Sequence, residues 1–114
     1  MADTTATVRE LRDCVQEFVR ARDWERFHNP KDLAVALSIE ASELLQRFLW
    51  EPPRPPESYA PDDRAAFADE LADVAIYTLS FANAMGIDLS EAVLAKVSKN
   101  EAKYPAERFR GLAP

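Results

Sequence analysis

Two pairs of acidic residues with helical spacing constrain the fold of this chain more than any other feature. Glu40 and Glu43 lie three positions apart, and Glu70 and Asp73 repeat that spacing after a long loop. On an α-helix, residues at i and i+3 share a face. The spacing therefore predicts two helices that each direct two carboxylates the same way. If these helices pack together, the four carboxylates form one cluster.

The predicted cluster needs a counter-ion, because crowded carboxylates repel one another. A ligand set of oxygen atoms alone favours hard divalent ions, so the sequence predicts bound Mg²⁺, with Mn²⁺ as a substitute. Such ions indicate phosphate chemistry. The alternative is that these side chains are simply solvated, as most acidic residues on helices are. Glu40 argues against it, because it lies in an apolar row with Leu37 and Leu44.

Capping signals and hydrophobic spacing predict four helices and no strand. Thr7 with Glu10 forms a capping box, and Asp88 with Glu91 forms another. Asn29-Pro30 and Pro61 are further helix starts. The predicted helices cover about 8–22, 30–50, 61–85 and 89–103. Residues 51–60 form a stiff proline-rich loop and not a domain linker. We therefore expect an all-α, four-helix unit in a single domain, 1–114.

Composition excludes several functional classes. The net charge of -6 argues against a nucleic-acid polymer as partner. Two glycines are too few for a glycine-rich phosphate loop, and His28, the single histidine, reads as a junction residue without a metal partner. No apolar run approaches the roughly 20 residues of a membrane span, and we expect no membrane association. Cys14 is the one cysteine, which favours a reducing, cytoplasmic location.

Aromatic and basic residues surround the acidic helices in the sequence. Trp24 and Trp50 fall at the two boundaries of the second helix, where an indole can stack on a base or simply plug the end of a bundle. Tyr77 follows Asp73 by one helical turn. The fourth helix ends in a polar group that suits phosphate and nucleoside, or that only complements the helix dipole. Its members are Lys96, Asn100, Lys103 and Tyr104.

The combined pattern is similar to a known family. The acidic pairs read Glu40-Ala-Ser-Glu43 and Glu70-Leu-Ala-Asp73. They are accompanied by W-x-x-F-H-x-P before the second helix, Trp50 at its end, and a closing K-x-x-x-N-x-x-x-Y-P. Over about residues 8–105 the chain resembles the MazG-like all-α nucleotide pyrophosphohydrolases, and within them the dCTP pyrophosphatase branch.

The resemblance implies a Mg²⁺-dependent reaction, NTP + H₂O → NMP + PPi, with dCTP or a modified dCTP as substrate and nucleotide-pool sanitation as role. It implies a homodimer or homotetramer with sites at subunit interfaces. The acidic pairs are then the metal ligands and catalytic residues. The residues implied in substrate binding are Trp24, Trp50, Tyr77, Lys96, Asn100, Lys103 and Tyr104.

The resemblance leaves the base preference open. Val15 stands where some cytosine-binding relatives carry a polar histidine, and valine cannot make that contact. A phosphoribosyl-ATP or dUTP hydrolase of the same superfamily is one alternative. A non-catalytic helical dimerisation module with solvated acidic pairs is another, although such a scaffold does not need Lys96, Asn100 and Tyr104.

Overall fold

The computed structural model describes residues 1–113, and this part of the chain is all-helical, as predicted. The helices are α1 (Val8–Ala21), α2 (Pro30–Gln46), α3 (Pro61–Met85), α4 (Leu89–Lys103) and the single-turn α5 (Ala106–Phe109). Short 3₁₀ turns occupy Glu25–Phe27 and Pro56–Ser58. Within the described residues, no helix combines the length and the apolar character that a bilayer span requires.

Three helices begin where side chains cap them. Oγ1 of Thr7 accepts a hydrogen bond from the Glu10 N–H at 3.1 Å, and Oδ1 of Asn29 accepts from the Asp32 N–H at 2.9 Å. Oδ1 of Asp88 accepts a hydrogen bond from the Glu91 N–H at 2.9 Å. These bonds satisfy donors that a helix start leaves without partners.

One helix end and one additional helix differ from the sequence prediction. The second helix was expected to reach Trp50, but α2 ends at Gln46. After it, the Arg47 and Phe48 N–H groups donate to carbonyls three residues back, at 3.2 and 2.9 Å, so the chain tightens into turns before Pro52. The one-turn α5 was not expected and follows Pro105.

The helices pack as an α2–α3 hairpin, with α1 packed against α3. Phe48, two residues after the end of α2, packs against Phe67 in the second turn of α3, with ring centroids 4.6 Å apart, which shows that the two helices run antiparallel. The buried apolar side chains lie where α1 and α2 meet α3. They are Val19, Leu33, Leu79 and Ala82.

A buried arginine joins α1 to the end of α3. Arg12, with 7% of its surface exposed, donates from Nε to Asn83 Oδ1 at 2.9 Å and from Nη1 to the Ile87 carbonyl at 2.6 Å. The Asn83 amide returns a hydrogen bond to the Arg12 carbonyl at 3.1 Å. This exchange fixes the register of α1 on α3.

The fourth helix is largely uncovered. α4 buries none of its residues, and Leu94 is 69% exposed. The radius of gyration is 17.0 Å, against about 13 Å for a compact domain of this length. Trp50 is 95% exposed. Exposed apolar surface on this scale is typical of interaction sites.

Candidate metal centre and adjoining cavity

The α2–α3 hairpin brings the two acidic pairs together. Glu40, Glu43, Glu70 and Asp73 each offer a carboxylate oxygen, and these four oxygens lie within 4.8 Å of one another. The three glutamates are half-buried, whereas Asp73 is exposed. The spacing of three within each helix puts two carboxylates on one face, and the antiparallel packing places the two faces against each other. The arrangement can hold a divalent cation.

Glu40 provides the strongest evidence that the cluster is a cation-binding site. Its Oε2 atom is buried and has no hydrogen-bond partner in the described chain. The pKa of Glu40 is raised from 4.5 to about 7, first by a side-chain hydrogen bond with Glu43, then by burial and by the negative charges of Glu43, Asp73 and Glu70. A bound Mg²⁺ or Mn²⁺ would satisfy the free oxygen and remove the repulsion, so the four residues fit such an ion.

Arg47 lies at the edge of this cluster and was not among the residues predicted from the sequence. Its Nη2 atom lies 3.2 Å from Oε1 of Glu70, whose side chain is 16% exposed. The ion pair offsets part of the cluster's negative charge and holds the Glu70 carboxylate in one orientation. The spacing in the sequence could have identified Arg47, because it follows Glu43 by four residues and therefore shares its helical face.

A cavity of about 240 Å³ lies beside the cluster. Ala36 precedes Glu40 by one helical turn and Tyr77 follows Asp73 by one turn, so the cavity begins about 6 Å along the hairpin from the carboxylates. Its lining is Trp24, Phe27, His28, Asp32, Leu33, Ala36 and Tyr77. Two of the predicted substrate-binding residues, Trp24 and Tyr77, thus face the same space next to the predicted metal site. Val15 is not among the lining residues.

The other predicted substrate-binding residues lie elsewhere in the single chain. Trp50 projects into solvent beyond the end of α2. The polar residues at the end of α4 are exposed and contribute neither to the carboxylate cluster nor to the adjoining cavity. They are Lys96, Asn100, Lys103 and Tyr104. Within the described residues of one chain, the structure therefore brings together the four predicted metal ligands and places Trp24 and Tyr77 at one cavity, but it does not form a complete enclosure for a nucleotide.

Comparison with known proteins identifies the family. The chain matches the MazG-like family over residues 35–113, and it belongs to that family. It is 39% identical over 109 residues to dCTP pyrophosphatase 1 of Bos taurus, and 40% identical over 106 residues to dCTP pyrophosphatase 1 of Homo sapiens. These alignments cover 94% and 91% of this chain, but only 64% and 62% of the relatives. The chain thus spans less than two thirds of their length.

Similarity to a solved structure supports the fold. A pyrophosphatase from Archaeoglobus fulgidus is 39% identical, with a TM-score of 0.79. The match covers 92% of this chain and 98% of that one. The resemblance to MazG-like proteins and to dCTP pyrophosphatases that the motifs indicated is confirmed by these matches.

Proposed function

We propose that this protein is a divalent-metal-dependent nucleoside triphosphate pyrophosphohydrolase that acts on dCTP or a modified dCTP and serves to cleanse the nucleotide pool. The observation that carries the proposal is the four-carboxylate cluster with the unpartnered Glu40 oxygen, placed one helical turn from a cavity lined by Trp24 and Tyr77. The assignment of dCTP as substrate is supported by the similarity to proteins named dCTP pyrophosphatase 1.

The geometry supports a proposed role for each group of residues. Glu40, Glu43, Glu70 and Asp73 would hold Mg²⁺ or Mn²⁺, which supplies charge neutralisation and activation of water when bound. The aromatic cavity would hold the nucleoside, with Trp24 against the base. The α-phosphorus would then lie over the cluster, and a carboxylate would accept the proton of the attacking water. This arrangement gives monophosphate and pyrophosphate.

We further propose that the working form is a homodimer or homotetramer, in which a partner subunit completes the site. The uncovered α4, the radius of gyration of 17.0 Å and the fully exposed Trp50 support this. In the assembly, Trp50 and the polar end of α4 would reach the nucleotide from a neighbouring subunit. Lys96 and Lys103 would bind phosphate oxygens there, and Asn100 and Tyr104 would bind the nucleoside or phosphates.

A nucleotide panel assayed with and without Mg²⁺ tests the reaction. The expected products from dCTP are dCMP and pyrophosphate, separated by ion-exchange chromatography, with no turnover in excess EDTA. Glu43→Gln and Asp73→Asn should each abolish turnover and keep the helical CD signal. Asp69→Asn is the matched control, because Asp69 is an exposed acid on the same helix outside the cluster.

Four results would contradict the proposal. Release of diphosphate and orthophosphate would show that a different bond is cleaved. Full activity in excess EDTA would show that the carboxylate cluster does not act by holding a catalytic metal ion. No turnover of any triphosphate would favour a non-catalytic helical module, whereas a preference for dUTP or phosphoribosyl-ATP would move the chain to another branch of the superfamily.

Mixing two inactive variants tests the completion of the site by a partner. Trp50→Ala keeps the carboxylate cluster, and Glu43→Gln keeps Trp50. If Trp50 acts on a neighbouring subunit, unfolding and refolding the two variants together restores intact sites and therefore activity. If Trp50 acts on its own subunit, no mixed oligomer contains an intact site, and activity stays at the level of the separate variants.

A further inference from the structure

Asp32 is the one carboxylate side chain among the described residues that line the aromatic cavity. It lies in the first turn of α2, where its N–H donates to Asn29 Oδ1 at 2.9 Å and its Oδ2 accepts from Asn29 Nδ2 at 2.7 Å. The cap engages Oδ2 and thereby holds the side chain in place. Oδ1 makes no hydrogen bond to another described residue and can accept one from a ligand.

The position of Asp32 along the hairpin determines which part of a nucleotide it meets. It precedes Glu40 by eight residues, so it lies about 12 Å from the carboxylate cluster along α2, one turn beyond Ala36. A nucleotide with its α-phosphate at the cluster has its base in the cavity, with the glycosidic N1 of a pyrimidine nearest the metal. The substituent on C4 is opposite N1 in the ring and therefore extends farthest towards Asp32.

That substituent differs in hydrogen-bonding character between the pyrimidines. In cytosine it is an amino group, which donates, whereas in thymine and uracil it is a carbonyl oxygen, which accepts. A carboxylate only accepts. Asp32, which lines the cavity but is exposed, therefore complements cytosine and disfavours the keto pyrimidines, because the lone pairs of two acceptors would face each other.

We propose that Asp32 is a specificity-determining residue, which selects a pyrimidine with a 4-amino group by accepting a hydrogen bond from it. This inference rests on the proposed function, since it takes the base to lie in the cavity beside Trp24. It leaves C5 of the ring unconstrained, so that 5-modified cytosine nucleotides satisfy the same contact.

The test compares dCTP and dTTP as substrates of the wild type and of Asp32→Asn. Asparagine keeps the oxygen that accepts from Asn29 and adds an amide that donates to a keto oxygen. The dCTP-to-dTTP ratio of kcat/KM should fall by about 10-fold or more, the size expected for a charged hydrogen bond replaced by a neutral one. Asp62→Asn is the matched control, because Asp62 lies in the first turn of α3 and is exposed. Its ratio should equal that of the wild type.

Binding of the monophosphates gives a second measurement that does not depend on turnover. Calorimetric titration with dCMP and dTMP in Mg²⁺ should show the same loss of preference in Asp32→Asn. If Asp32 has only a structural role, Asp32→Asn will bind dCMP and dTMP more weakly by the same factor. The ratio of the two affinities will then equal that of the wild type, and this result would overturn the inference. An absence of turnover with every triphosphate would refute the proposed function. The dCMP and dTMP affinities would then decide separately whether Asp32 reads the base.

Discussion

Removing the negative charge of Glu40 should stabilise the metal-free protein at neutral and alkaline pH. In the folded chain, the pKa of Glu40 is raised from 4.5 to about 7 by the hydrogen bond with Glu43, by burial and by the neighbouring negative charges. At pH values between 4.5, the pKa of the unfolded chain's glutamate, and about 7, the pKa in the folded chain, the folded state binds more protons than the unfolded state does. The free energy of unfolding therefore falls as the pH rises from about 4.5 to 7, and the full penalty remains above 7.

The size of this penalty follows from the pKa difference. At about 1.4 kcal/mol per pKa unit, a rise from 4.5 to about 7 sets an upper limit of about 3.5 kcal/mol. Glu40 is half-buried, so solvent screens part of the repulsion, and we expect about 1–2 kcal/mol. For a domain of this size, that corresponds to a shift of roughly 3–12 °C in melting temperature.

The assay is thermal unfolding followed by CD at a fixed protein concentration, in EDTA, from pH 5 to pH 8. The wild type should lose stability across this range. Glu40→Gln should lose much less and should melt above the wild type at pH 8. Saturating Mg²⁺ should reverse the wild-type trend, because metal binding requires the deprotonated carboxylate.

Glu17→Gln supplies the matched control. Glu17 is exposed on α1, outside the cluster, so its substitution changes the net charge of -6 by the same amount without relieving the local repulsion. It should retain the pH trend of the wild type. The reasoning would be refuted by a wild-type melting temperature that is flat or rises between pH 5 and 7.5 in EDTA, or by an equal slope in Glu40→Gln.

Two further predictions follow from the contacts around the cluster. Trp24→Ala should raise KM by about 5- to 150-fold with a smaller loss of kcat, because base stacking on an aromatic ring contributes roughly 1–3 kcal/mol. Steady-state kinetics measure both constants. An unchanged KM would show that the base does not stack on Trp24. Arg47→Gln should lower the melting temperature in EDTA by an amount equivalent to about 1 kcal/mol or less, because a half-exposed ion pair with Glu70 is lost. Saturating Mg²⁺ should reduce that difference, and equal melting temperatures in EDTA would show that the ion pair does not stabilise the fold.

Local chemistry made the helix starts and the acidic pairs predictable. A cap is a hydrogen bond between residues three apart, so Thr7, Asn29 and Asp88 identify their helices without knowledge of the rest of the chain. Gly86 likewise ends α3, because the residue there has φ of 64°, which glycine adopts without steric cost. Helical periodicity alone places Glu40 beside Glu43 on one face.

The end of α2 was not predictable in the same way. Helical propensity permits continuation to Trp50, and the nearest strong signal for termination is Pro52. The turns after Gln46 instead allow Phe48 to reach Tyr59 and Phe67, at centroid distances of 5.9 and 4.6 Å. Packing between segments far apart in sequence decided this boundary.

The four main helices, the pairs of carboxylates and the family resemblance follow from local sequence patterns, because each depends on spacing within a single helix or on a short motif. The register of α2 against α3 depends instead on tertiary packing. That register pairs Arg47 with Glu70 at 3.2 Å, leaves Oε2 of Glu40 buried without a partner, and makes Asp32 part of the cavity with Trp24 and Tyr77. The physical reason is that contacts between helices depend on how the side chains of both interlock, which no local pattern specifies.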